Sequence, residues 1–293
     1  MLNPPFDLPC DLVTPVSAFR KLAPLGARYL LESVENGPSM QLGRYSFLGF
    51  GDARFVRLEG DTYIDGEHRI PAPKGRAPFL AALRESLDRA YRPVTHPEAN
   101  LPFIGGLVGV AGFDVLRRFD RVRPPAASKG PPHPELAYVS TRSLLVFDHL
   151  TRRAALLHDG SDAERAALRK EVQALLDGRL PPLNPSHGLG DLIPSFQRDA
   201  FLAAVAKGQD HIQAGDLFQL VLSVRMTAES DLEPFEVYRA LRILNPSPYM
   251  SFIDLGDVQI VGSSPEALVK MDGDLASLRP IAGTRPRGAD EAA

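Results

Sequence analysis

The chain has 293 residues, of which 44% are hydrophobic, enough to bury a sizeable core in one large domain or two smaller ones. Its formal charge of −3 lacks the basic excess that phosphate neutralisation demands, so nucleic acid is excluded as a partner and small soluble substrates fit better. Cys10 is the single cysteine, so no internal disulfide can form; the opening MLNPPFDLPCD has no basic or apolar leader region, and the longest apolar stretch, 101–113, is too short to span a bilayer, so a cytoplasmic protein without membrane contact is expected.

Residues 55–70 carry turn signals at Glu59-Gly60-Asp61 and Asp65-Gly66, which divide them into short antiparallel strands. A helix is expected over 78–91, where Phe79, Leu83, Leu87 and Tyr91 form one stripe. Gly105, Gly106, Gly109 and Gly112 form a glycine-rich patch without GxGxxG spacing, which reads as a core strand or a tight packing site. The Pro-rich stretch 123–134 reads as a linker, and 138–147 with 153–158 as a hairpin turning near Asp148. Ser161 and Glu164 have capping-box spacing, and Gly178 closes the helix that they open.

A second Pro- and Gly-dense stretch covers 180–194. Ser195 then stands as a candidate N-cap, and Phe201, Val205 and Ile212 give a helical stripe ending at Gly215. Phe218, Leu220, Leu222, Val224 and Met226 alternate at period two, which predicts a strand. A helix is expected over 234–244, with Pro234 in its first turn, followed by strands at 249–255, 258–261, 268–271 and 274–278, the last pair turning at Asp272-Gly273. The reading is an α+β chain of antiparallel strands with no regular βαβ alternation. It is expected to divide into an N-terminal domain over 1–180, a linker over 181–195, and the beginning of a second domain over 196–293.

Among general motifs, the sequence has no GxxxxGK[ST], HExxH, CxxC or GxSxG, and Cys10 has no basic neighbour to make it a nucleophile. Three other stretches carry chemistry. In Arg279-Pro280-Ile281-Ala282-Gly283-Thr284-Arg285-Pro286-Arg287-Gly288, prolines stiffen the backbone around a Gly-Thr pair and arginines offer bidentate forks to a carboxylate. That suits a rigid site for a small anion; a Pro-rich turn with solvated arginines suits the spacing equally. In Asn245-Pro246-Ser247-Pro248-Tyr249-Met250, two X-Pro bonds fix how Tyr249 and Met250 are presented. They form either a polarizable wall for an aromatic ligand or ordinary core at a strand start. In Leu30-Leu31-Glu32-Ser33, a buried Glu32 would need an amine or guanidinium, which an amino-acid ligand could supply; a strand end at which both polar side chains meet water is the alternative.

With Gly43-Arg44-Tyr45-Ser46-Phe47, GDLFQLVLS (215–223) and IVGSSPE (260–266), these stretches occur in an order that resembles anthranilate synthase component I of the chorismate-utilising enzyme family, from about Leu30 to Gly288. The resemblance implies two antiparallel β-sheets packed face to face with helices around them. It implies chorismate as substrate, Mg²⁺, a glutamine amidotransferase subunit (component II) that delivers ammonia, and feedback inhibition by L-tryptophan. It places Ser33, Pro248, Tyr249 and Met250 in the tryptophan pocket, with Glu32 and Asn245 as weaker neighbours. It places Gly283 and Thr284 on chorismate, with Arg285 beside them. Ala282 stands where aminodeoxychorismate synthases carry a nucleophilic lysine, which favours free ammonia as the nucleophile and anthranilate plus pyruvate as products.

Two departures stand out. Val110 and Phe113 lie where the family often has tyrosines. The resemblance also puts the catalytic residues and the magnesium ligands beyond Ala293, so this stretch is expected to contain neither and not to turn over by itself. An inactive tryptophan-binding or amidotransferase-docking fragment, and an aminodeoxychorismate synthase component I, are the competing readings.

Overall fold

The computed structural model describes residues 5–34, 43–93, 101–120, 133–278 and 280. In chain order its strands and helices are β1 (Leu8–Pro9), α1 (Pro15–Lys21), β2 (Tyr29–Glu32), β3 (Tyr45–Glu59), β4 (Thr62–Asp65), β5 (His68–Pro71), α2 (Arg76–Asp88), β6 (Val108–Ala111), β7 (Leu136–Asp148), β8 (Arg153–His158), α3 (Asp162–Asp177), β9 (Ile193–Pro194), α4 (Arg198–Gln213), β10 (Met226–Thr227), α5 (Pro234–Leu244), β11 (Tyr249–Asp254), β12 (Gln259–Ser264), β13 (Lys270–Asp272) and β14 (Leu275–Ser277). The α+β architecture of antiparallel strands read from the sequence is the one that forms. Ten strands make one antiparallel sheet along the path β1-β8-β7-β3-β2-β11-β12, with β4, β5 and β6 branching from β3 and β7; two further pairs form two-stranded ribbons.

Compact units divide the chain between 182 and 183, within the stretch expected as a linker, and again between 236 and 237: one unit is Met1–Pro182 with Val237–Ala293, the other Leu183–Glu236, so the C-terminal segment returns to the first unit. The reason is β11, which leaves the C-terminal segment and pairs with β2 in register Met250↔Glu32 through Ile253↔Tyr29. Sheet hydrogen bonds, unlike composition, join residues without regard to their separation along the chain.

In the first unit, β3 and β7 run side by side for most of their length, with a bulge between Phe50 and Ala53. Almost every residue of β7 is buried, because both faces of the sheet are covered. On one face Tyr29, Val139, Leu144, Val146, Leu157 and Ile253 form a core cluster. On the other, the Phe19 ring of α1 meets Phe252 edge-on at 5.1 Å, and Tyr238 of α5 meets the same ring at 6.2 Å. The α3 helix starts as expected: the Ser161 hydroxyl accepts from the Glu164 N–H, Glu164 bonds back to the Ser161 N–H at 2.7 Å, and Gly178 is the C-cap.

The α2 helix stops at Asp88 and does not reach Tyr91: the Arg89 and Ala90 N–H groups still donate to the Glu85 and Leu87 carbonyls, but acceptors outside the helix take those of Tyr91 and Arg92. Ser140 Oγ receives the Tyr91 N–H at 2.9 Å and Asp159 receives that of Arg92 at 3.0 Å. The glycine patch is a packing site: β6 lies against β7 so closely that a Cβ on Gly109 would fall 2.1 Å from the Ala137 carbonyl oxygen. The hairpins at 55–70, 138–158 and 270–277 stand where the turn signals put them. The linker at 123–134 lies outside the described residues except for its last two.

The second unit holds α4 and the ribbon of β9 with β10. Its N-cap is Gln197 and not Ser195; the Ser195 hydroxyl instead accepts from the Arg225 N–H at 3.0 Å. The strand expected over 218–226 is reduced to Met226–Thr227. Alternation specifies a strand only where a neighbour pairs its backbone and covers one face. Among the described residues only Ile193 and Pro194 pair there, while Phe218 and Val221 stand exposed.

Candidate functional site

The β2 strand is short, and its last residue is the acid Glu32. It lies between β3 and β11, so Ser46, Glu32, Met250 and Ser263 stand opposite one another in a single cross-strand row. Successive side chains on a strand point to opposite faces. Met250 is accordingly buried with Glu32, whereas Tyr249, one residue earlier, is exposed. The stretch therefore gives Met250 to the core and leaves Tyr249 at the surface.

Glu32 does not meet water at a strand end: its side chain is 2% exposed. It finds its partners on α5, where Tyr238 and Arg242 share one face by their i,i+4 spacing. The Tyr238 hydroxyl donates to Glu32 Oε2 at 2.5 Å, and Arg242 forks onto the same carboxylate, Nε to Oε2 at 3.0 Å and Nη2 to Oε1 at 3.3 Å. Burial, then the neighbouring Glu32 charge, push the Tyr238 phenol well above its ordinary pKa, so it stays protonated and donates. The guanidinium that a buried Glu32 requires thus comes from within the chain.

Ser46, next in the row, is 2.8 Å from His149 Nε2, and the His149 ring stacks beside Phe147. Burial lowers the His149 pKa; Glu32 and Asp148 oppose the shift and Arg242 adds to it.

The Asn-Pro-Ser-Pro turn is pinned to the end of β2. The Val34 N–H donates to the Ser247 carbonyl at 3.0 Å. Ser247 is buried, and its hydroxyl donates to Met250 Sδ at 3.4 Å. Asn245 holds the neighbouring strand: its amide donates to Ser263 Oγ at 3.3 Å and its carbonyl accepts from the same hydroxyl at 2.7 Å. Ser33 and Pro248 are half-buried at this strand end. The fold therefore brings Glu32, Ser33, Asn245, Pro248, Tyr249 and Met250 together across more than two hundred positions and adds Tyr238 and Arg242. The sequence signal for those two was their shared helix face below an acid in need of a cation. No spacing rule links α5 to β2.

Gly283, Thr284 and Arg285, with Ala282 beside them, lie outside the described residues. Among the described residues no cluster of His, Cys, Asp or Glu stands ready to hold a metal ion. No described helix is long and apolar enough to cross a membrane. Burial, then Asp11, push the Cys10 thiol up to about 12, which disfavours its thiolate.

The antiparallel sheet and the motif pair at the end of β2 match a known class. Residues 39–293 match the family described as chorismate binding enzyme, and the chain belongs to it. Within that family it is similar to the anthranilate synthase component 1 of Thermus thermophilus, 41% identical over 286 residues, covering 96% of this chain and 59% of that protein. It is also similar to the Streptomyces coelicolor protein of the same name, 39% identical over 300 residues and covering 96% and 54%. The crystal structure of anthranilate synthase component I from Streptococcus pneumoniae TIGR4 superposes with a TM-score of 0.65 at 30% identity, covering 83% of this chain and 54% of that one. The chain thus spans between 54% and 59% of the length of these relatives.

Proposed function

We propose that this chain is part of a component I anthranilate synthase, which converts chorismate and ammonia to anthranilate and pyruvate, and that it carries a site for L-tryptophan, the pathway's end product. The observation that carries the reading is the pairing of β2 with β11, which sets LLES beside NPSPYM. An aromatic amino acid would lie at this strand end against Tyr249 and Pro248, with Ser33 serving its polar end. Tight, dry packing of Met250 and Ser247 behind them keeps that wall in place.

Chorismate would bind through Gly283 and Thr284, with Arg285 near its carboxylates. These roles, the Mg²⁺ requirement, the glutaminase subunit that supplies ammonia and a cytoplasmic location rest on the family resemblance. Ala282 supports anthranilate over aminodeoxychorismate as product, since it has no amine to attack the ring.

Calorimetry of the folded chain with L-tryptophan tests the regulatory site. Binding that Ser33→Ala weakens about tenfold, the scale of one lost polar contact, is the expected result; absence of heat removes the reading. The reaction is tested by grafting the chain in place of the stretch that it matches in the Thermus thermophilus relative. With chorismate, ammonium and Mg²⁺, the chimera is expected to produce anthranilate fluorescence that tryptophan suppresses. A folded chimera whose product by chromatography is aminodeoxychorismate, or that yields none, overturns it.

A further inference from the structure

We propose that Tyr238 and Arg242 are positioning residues for the amino-acid site: they occupy the Glu32 carboxylate, so that Glu32 anchors the site's wall instead of receiving the ligand's ammonium group. The inference rests on the tryptophan reading given above. Both carboxylate oxygens already have donors, three in all, and the side chain is sealed from water. An incoming ammonium would have to displace a guanidinium that forks onto both oxygens. Strand alternation opposes that route too. Glu32 shares its face with Met250, under α5, whereas Ser33 and Tyr249 follow the opposite alternation.

What the clamp does control is where α5 lies on β2. The helix ends at Leu244, and the next residue, Asn245, still donates its N–H to the Leu241 carbonyl at 2.8 Å. The turn Asn245-Pro246-Ser247-Pro248 therefore starts directly from the helix that Glu32 holds, while the same β2 end receives Ser247 through Val34. Both walls of the site are fixed by one buried ion pair and one phenol hydrogen bond.

Two measurements test this. In calorimetry, Glu32→Gln, Arg242→Met and Tyr238→Phe are titrated with L-tryptophan and with indole-3-propionate, which lacks the ammonium. Positioning predicts that each variant weakens both ligands by the same factor, about tenfold for Arg242→Met, with Arg242→Lys recovering part of the loss and Ile243→Ala, on the exposed side of α5, changing nothing. A Glu32→Gln variant that loses tryptophan affinity but keeps that for indole-3-propionate shows a direct ammonium contact and overturns the inference. Hydrogen exchange of the ligand-free chain supplies the second readout: Arg242→Met, checked for an intact near-ultraviolet spectrum, should speed exchange of the Ser247, Tyr249 and Met250 amides while leaving β7 and β8 protected. Unchanged exchange at the turn overturns it as well. Wild-type chain that binds no tryptophan ends the parent reading, and only then does the inference fall with it.

Discussion

At the scale of single residues, charge burial sets how the chain responds to pH. His149 and His158 both have pKa values lowered from 6.5, first by burial, with Arg142 adding to the effect at His158. The His158 ring meets Ser143 Oγ at 2.9 Å. In the unfolded chain both rings take up protons near 6.5, so below that value the unfolded state binds more protons. The stability that these neutral rings hold at neutral pH is therefore lost as pH falls from about 6.5 through their lower folded values. Urea midpoints measured across this window should fall on acidification, and His158→Gln should flatten the slope; an unchanged slope would refute the assignment.

Asp65 and Asp148 act at lower pH. Burial raises each, but the hydrogen bonds of Arg54 and Arg89 to Asp65, and of Arg44, Leu150 and Thr151 to Asp148, outweigh it and hold both below 3.8. Their contribution is present above that value and disappears as pH drops through the folded pKa.

At the scale of elements, local rules succeed where an element is closed by its own neighbours. The capping box of α3 needs only Ser161 and Glu164, three residues apart, and Ser161→Ala should cost about 1 kcal/mol in a denaturation measurement. The β6 strand obeys a rule that is not local: its close approach to β7 requires glycine at 109. Gly109→Ala should cost at least about 1–3 kcal/mol, because the backbone of β7 has to move to admit the methyl group. A variant as stable as the parent would show that the two strands separate easily. The segment 218–226 is the counterexample. Its alternation is regular, yet of its residues only Met226 pairs, with Pro194 of β9. Period-two spacing states which face would be buried, not whether a partner strand exists.

At the scale of the whole molecule, the two units differ in how much they bury. The first contains the sheet with covered faces; in the second, Leu189, Leu192, Ile193, Phe196, Phe218 and Val221 are exposed. Few buried apolar contacts mean easy local opening. Limited proteolysis should cut first within 183–236, while peptides of β7 and β8 persist; first cuts in the sheet would contradict this. Apolar surface on that scale should also bind a hydrophobic dye, and Phe218→Ser should reduce the signal.

The sequence alone determined the α+β class, the hairpins, the α3 cap and the motifs that mark the family, because each depends on residues close together or on an ordered string of residue types. Only the tertiary structure decided that the β11 segment completes the N-terminal sheet, that Glu32 is buried and that Tyr238 and Arg242 neutralise it. A strand's register and a buried charge's partner are fixed by which surfaces meet in space, and positions two hundred residues apart leave no trace of that meeting in local spacing.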